Sequence, residues 1–142
     1  MVHALEETRR VLKPDGILID IRPISGQWQI EVASSRELKR TGQVDDFPEP
    51  LNMDRASNEA MQEVESRGWF RREQEEFFSF LYMWDTPSEM EESIAEDWSD
   101  FIGLSEAAKL ATRSVWATGD ADSRVQVRVK ILIARWKVRK ER

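Results

Sequence analysis

The chain has 142 residues, 40% hydrophobic and 34% charged, with a formal net charge of −6; this describes a single folded domain over 1–142 and excludes a disordered chain. The acidic balance argues against a general nucleic-acid binder, which needs a basic surface. With no cysteine there is no disulfide, thiolate zinc site or thiol nucleophile, and the one histidine, His3, cannot build a histidine metal cluster.

Met1, Leu5, Thr8 and Leu12 fall at spacings of four, three and four, which predicts an amphipathic opening helix. Glu6 and Arg10 stand four apart on its outer face, acid first. Pro14 cannot continue the helix, and Asp15-Gly16 supplies a turn. Ile17 to Ile21 shows almost no alternation, so both faces of this strand are expected to be covered, as in an inner parallel strand. No apolar run approaches the ~20 residues that span a bilayer. Met1 leads into a charged helix and not into a signal peptide, so no membrane association and a cytoplasmic location are expected.

Residues 24–53 read as a loop-rich insertion. Trp28, Ile30 and Val32 alternate with Gln27, Gln29 and Glu31, and Arg36 to Val44 returns as a polar strand, which together predict a hairpin. Asp45 to Pro50 is expected to be irregular, its two prolines excluding a regular helix. A helix follows over Asp54–Arg67 with Ala56, Ala60, Met61 and Val64 inward, stopped by Gly68. Trp69 to Trp84 is a long strand whose second half is apolar on both faces.

Thr86-Pro87-Ser88-Glu89 is a capping box opening a helix with Met90, Ile94, Trp98 and Phe101 on one side. After Gly103 comes another helix with Leu104, Ala108, Ala111 and Val115 inward. The last strand carries Val125, Val127, Val129, Ile131 and Ile133 on one face and Gln126, Arg128 and Lys130 on the other. Charges from Asp85 to Glu106 are all acidic, and those from Arg124 onward mostly basic. The two segments are expected to lie together or to face water, where exposed pairs contribute only ~0–1 kcal/mol each.

Arg10-Val11-Leu12-Lys13-Pro14-Asp15-Gly16, a helix end feeding an apolar strand, resembles the late helix-turn-strand of class I S-adenosylmethionine-dependent methyltransferases of the type 11 kind. Asp15 stands where that family more commonly has Gly. The resemblance implies an α/β chain with a partial Rossmann-like methyltransferase fold: a mixed sheet, flanking helices and an antiparallel C-terminal strand, Val125 to Lys137, slotted in beside the last parallel ones. In the family this unit lies past the middle of the domain, and the cofactor is held by a glycine-rich turn after the first strand and an acidic residue ending the second. The glycines here, Gly16, Gly26, Gly42, Gly68, Gly103 and Gly119, are too far apart for such a turn. The chain is therefore expected to be a C-terminal half that binds S-adenosylmethionine only if a partner supplies the missing part.

Removing the first half-sheet would bare the edge of the Ile17–Ile21 strand, and each exposed large side chain forfeits roughly 1.5–3 kcal/mol. A homodimer, a separate subunit or the 27–44 hairpin is expected to cover it. The functional expectation is a methyltransferase-like fragment or split-enzyme subunit, inactive alone; the alternative is a non-catalytic α/β module for dimerisation or small-ligand binding.

No Ser/His/acid triad can be assembled. Glu75-Glu76 and Glu91-Glu92 are adjacent and point different ways, which suits solvated faces better than acid/base dyads. Asp45-Asp46 lacks further ligands at suitable spacing, so no metal site is expected. The Phe78, Phe80, Tyr82 and Trp84 stripe reads first as core and second as the wall of a pocket for a planar or apolar ligand. Should a pocket form, its candidates are Arg22, Trp28, Tyr82 and Trp84, near strand ends where α/β sheets carry binding.

Overall fold

The structure is a computed structural model and describes residues 1–140. Its element order is α1 (Val2–Val11), β1 (Ile17–Ala33), β2 (Leu38–Gln43), β3 (Asp45–Asp46), α2 (Pro48–Ser66), β4 (Phe70–Trp84), α3 (Pro87–Asp97), β5 (Ile102–Gly103), α4 (Glu106–Ala117) and β6 (Arg124–Val138). The protein is mixed α/β. Four strands form an antiparallel sheet in the order β2-β1-β6-β4, and β3 pairs with β5. The inner strand expected to be parallel, Ile17–Ile21, is thus bonded to an antiparallel neighbour.

Contacts gather into two compact units. The first comprises Met1–Ile24, Asn52–Phe78 and the chain from Ile131; the second comprises Ser25–Leu51 and Ser79–Lys130. Strands β1, β4 and β6 each contribute to both.

In the first unit, Met61 and Val64 of α2 pack with Phe70, Ala134, Trp136 and Val138, and Val2, Leu5, Leu12, Leu18 and Trp69 close around them. The α1 stripe is therefore Val2, Leu5 and Leu12, with Met1 and Val11 left outside. Arg10 pairs with Glu7 at 2.8 Å instead of the expected Glu6, because three residues also bring side chains onto one helix face. The end of α1 is tied down by Lys140, whose Nζ donates to the carbonyls of Arg10 and Leu12, a cation on the negative end of the helix. The following turn puts Asp15 at φ 61°, and a Cβ on Gly16 would lie 2.9 Å from the Lys13 carbonyl. Gly16 then accepts from the Val138 amide at 2.8 Å, joining the start of β1 to the end of β6.

Leu18 points into this core, but Ile17, Ile19 and Ile21 are 45%, 49% and 61% exposed. The expectation that both faces are covered fails because α1 and α2 pack on one side only. Helix α2 begins at Pro48, not Asp54. Prolines 48 and 50 fall in its first turn, where amides have no intrahelical acceptor and their loss costs nothing. Ala56 is exposed, while Gly68 takes the expected left-handed conformation at φ 70°.

In the second unit the predicted hairpin is present. It is the far end of β1 paired with β2, from Gln29↔Gln43 to Ala33↔Leu38, with a register shift at Ile30/Glu31. Gly26 and Gln27, at φ 122° and 53°, interrupt β1 just before it. Helix α4 lies against β2, where Ala108 comes within 3.4 Å of a Cβ built on Gly42. Beside that contact Thr112, fully buried, shares a 2.7 Å hydrogen bond with Thr41 and donates to the Ala108 carbonyl. The capping box forms: Thr86 accepts from the Glu89 amide, and the Glu89 carboxylate reaches back to the amide of Asp85, one residue before the cap. Met90 and Ile94 are buried, but Phe101 lies beyond the end of α3 and is exposed.

The acidic and basic segments meet at the ion pair Arg124–Asp85, 3.1 Å apart. Elsewhere β6 pairs with other acids: Arg128 with Glu31, Arg135 with Glu73 and Lys137 with Asp15.

Along β6 the buried alternation differs between the units. Val125, Val127 and Val129 are buried in the second, and Leu132, Ala134, Trp136 and Val138 in the first. Ile131 and Ile133 were expected to continue the valine face inward; they are only partly covered.

Two outcomes follow from these contacts. Thr112→Val removes the 2.7 Å bond to Thr41 and leaves the Thr41 hydroxyl only the longer contact to the Ile30 carbonyl at 3.3 Å, and chemical denaturation should register a loss of about 1 kcal/mol. The turn after β1 is held by Asp120, which accepts from the Ser34 hydroxyl, and by Asp122, which accepts from the Ser35 amide at 2.9 Å. The Ser35 hydroxyl first, then its amide, hold the Asp122 carboxyl below its ordinary value of 3.8. A depressed carboxyl stabilises the folded state above the unfolded value and ceases to do so as pH falls through the folded one. Thermal unfolding should place wild type above Asp122→Asn at pH 6, with the difference shrinking as the pH falls below the ordinary carboxyl value and through the lowered folded one.

Candidate functional site

The aromatic residues of the second unit converge on Trp98. Tyr82 meets its ring edge-on at 4.6 Å between centroids, Trp84 at 5.9 Å and Trp28 at 6.1 Å. Phe80 packs edge-on against Tyr82 at 4.9 Å, and Trp84 stacks alongside Tyr82 at 6.4 Å. Strand alternation accounts for the line Phe80, Tyr82, Trp84 on one face of β4. Trp98 stands at the C-terminal cap of α3, one turn past Ile94, with its amide on the Ile94 carbonyl. Edge-to-face contacts of this kind contribute roughly 0.5–1.5 kcal/mol each beyond area burial.

The cluster is not closed. Phe80 is 48% and Tyr82 42% exposed, since β4 is the last strand of its sheet. The reading of the stripe as core fails: Phe78, Phe80 and Tyr82 are about half exposed, and the rings touch one another without being covered. The partly exposed rings offer π-faces on which a planar group can stack, with the Tyr82 hydroxyl as a polar handle among them.

Three of the four expected pocket residues, Trp28, Tyr82 and Trp84, meet here around Trp98. Arg22 does not join them. It belongs to the first unit, where its Nε lies 3.2 and 3.3 Å from the two Asp20 carboxylate oxygens and its Nη2 donates to Asn58 at 2.7 Å. Arg22 and Asp20 line one end of a cavity of about 250 Å³ whose other walls include Met1, Leu5, Leu18 and Met61.

A polar cluster was missed. Glu31, expected on an exposed strand face, is only 7% exposed. It accepts from Gln126 at 2.9 Å and from Arg128 at 3.0 Å. Paired acid and base satisfy one another, which makes this a structural contact across the strands. Asp46 likewise is engaged by the Gln27 amide at 2.9 Å. Among the described residues no three of His, Cys, Asp and Glu are grouped to hold a metal ion, and no helix is long and apolar enough to cross a membrane.

Compared with protein-family models, curated proteins and solved structures, the chain matches none.

Trp98 is the keystone of the cluster, touching three of the other four rings. Trp98→Ala should lower stability by about 2–4 kcal/mol, while Phe80→Ala, at the rim, should cost about 1 kcal/mol. Equilibrium denaturation of both variants measures the contrast.

Proposed function

We propose that these 142 residues are the C-terminal half of a class I methyltransferase-like fold, carrying no cofactor site of their own and serving as the structural complement of a cofactor-binding half. The observation that supports this best is the placement of β6. It runs antiparallel between β1 and β4, which therefore share a direction, and this is the arrangement the resemblance implies for the last strand. The turn adds support. Asp15 has φ 61°, a conformation in which the glycine common at that position in the family is comfortable.

The half-fold reading also gives a use to the edge of β1. The registered pairs with β2 begin at Gln29, so Ile17–Ile21 takes hydrogen bonds from β6 on one side only. A strand from the cofactor-binding half, in the same polypeptide or a separate subunit, would complete the sheet there. Methyl transfer would then use S-adenosylmethionine held by that half. Trp28, Tyr82 and Trp84 would offer a stacking surface to a planar substrate.

The competing reading is a non-catalytic module for dimerisation or small-ligand binding. It is favoured by the partly open aromatic cluster, a stacking surface for a planar or apolar ligand.

A chimera separates the two. The glycine-rich front half of a class I methyltransferase, joined ahead of Met1, should give a soluble protein that binds S-adenosylmethionine at micromolar concentration by calorimetry. The 142 residues alone should give no heat. Micromolar binding by the 142 residues, or a chimera that binds no better than the front half alone, would refute the half-fold assignment.

A further inference from the structure

The aromatic cluster of the second unit has a shape and an electrostatic setting that its internal ring contacts do not use. The plane of Trp98 stands at 84° to Tyr82 and at 69° to Trp84, whereas Tyr82 and Trp84 lie within 22° of one another. The partly open surface is therefore a corner between roughly perpendicular rings, with Phe80 and Tyr82 about half exposed. A flat ligand contacts one plane of such a corner at a time. A rounded one meets two.

Charge beside the corner is of one sign. Between Asp85 and Glu106 stand eight acidic residues and no basic one. Asp85 is paired with Arg124, Glu91 with Arg113 and Glu106 with Lys109, and Glu89 is engaged at the cap of α3. Asp97 and Asp100, on either side of Trp98 in the chain, are exposed, and their carboxylates form no ion pair among the described residues. Consecutive Cα atoms are ~3.8 Å apart, so both acids are rooted within about 8 Å of the Trp98 Cα, inside the ~8–10 Å reach of a charge at physiological salt.

We propose that this corner binds a small quaternary ammonium ion, held by the faces of Tyr82, Trp84 and Trp98 and attracted by the Asp97 and Asp100 carboxylates. A cation within ~6 Å of an aromatic centroid is drawn to the negative face of the ring. Two unpaired carboxylates add to that attraction and repel an anion. A primary ammonium carries three N–H donors, and the rings supply few acceptors for them once water is displaced. A quaternary ammonium has no N–H to satisfy, and its methyl groups bury against the rings as apolar surface. The inference goes beyond the stacking surface proposed above by fixing the charge of the ligand. It rests on the reading of this cluster as a ligand surface and not on the half-fold assignment.

Calorimetry of the full chain tests it, with choline and with its neutral tert-butyl analogue, in which carbon replaces the charged nitrogen. Choline should bind with a Kd below ~1 mM, and the neutral analogue at least tenfold more weakly. Asp97→Asn combined with Asp100→Asn should weaken choline about fivefold at low ionic strength and leave the neutral analogue unchanged. Tyr82→Leu should weaken choline at least tenfold with the circular dichroism spectrum unchanged. Glu59→Gln, which removes an exposed acid of α2 in the first unit, should leave choline binding as it was. The two ligands compared on the wild-type chain decide the question if Tyr82→Leu fails to fold. A neutral analogue that binds as tightly as choline overturns the proposal, as does a wild type that gives no heat with choline at ~10 mM. So does a loss on Glu59→Gln equal to that of the aspartate variants. Neither ligand involves S-adenosylmethionine, so this result and that of the chimera stand or fall separately.

Discussion

The constraint on which the structure depends is the antiparallel insertion of β6 between β1 and β4. Without this strand, β1 and β4 have no hydrogen-bonded contact in the sheet order. Its fifteen residues supply buried side chains to the core of each unit, valines to one and Leu132, Ala134, Trp136 and Val138 to the other. The ends of the strand are pinned by backbone bonds: the Val138 amide to Gly16, the Arg139 amide to Trp69. Because strand residues alternate sides, whichever set a unit buries leaves the other set over. In the first unit the set left over is Ile131 and Ile133, and the isoleucines of β1 share their situation.

What the sequence disclosed and what it hid divide along physical lines. Local chemistry was legible. The Thr86 cap with Pro87 and Glu89, the left-handed Gly68, the hairpin and the order of strands and helices all rest on interactions within a few residues, and all are present. Coverage was not legible, because it depends on what packs against a face and not on the face. An apolar run such as Ile17–Ile21 reads as doubly buried, yet only Leu18 reaches the core. The same limit applies to β6, where Ile131-Leu132-Ile133 is apolar on both sides and carries no mark of where the buried set changes. Pro48 and Pro50 failed for a different reason. Proline is incompatible with a helix interior but not with its first turn, and the sequence did not show which of the two it occupied.

The candidate site follows the same division. Trp28, Tyr82 and Trp84 were named for their positions near strand ends, and in the structure all three rings meet Trp98. Trp98 carried its own signal, four residues after Ile94 on the inward stripe of α3, and the structure makes it the centre. Arg22 was grouped with these rings by its position near a strand end. Gly26 and Gln27, both at positive φ, break the alternation between Arg22 and Trp28, so parity cannot be carried across them. Glu31 was misjudged because a carboxylate in an alternating strand reads as solvent-facing. Its burial is tolerable only because Gln126 and Arg128, about 95 residues away in the chain, satisfy it.

Two kinds of incompleteness remain in the first unit, and they make different demands. The edge of β1 offers backbone amides and carbonyls, which only another strand can satisfy in a regular way. The isoleucine face offers area, which any flat apolar surface can bury. The edge carries its own guard. Asp20 and Arg22 pair with each other beside it, Arg22 is fixed further by Asn58, and charges at a sheet edge discourage indiscriminate strand addition. The face is mixed: Arg135 and Lys137 continue the parity of Ile131 and Ile133 along β6, and Arg135 and Glu76 line one cavity with Ile19 and Ile133. Both surfaces thus carry charge among their apolar residues, and the edge, whose backbone groups only a strand can satisfy, is the more selective of the two.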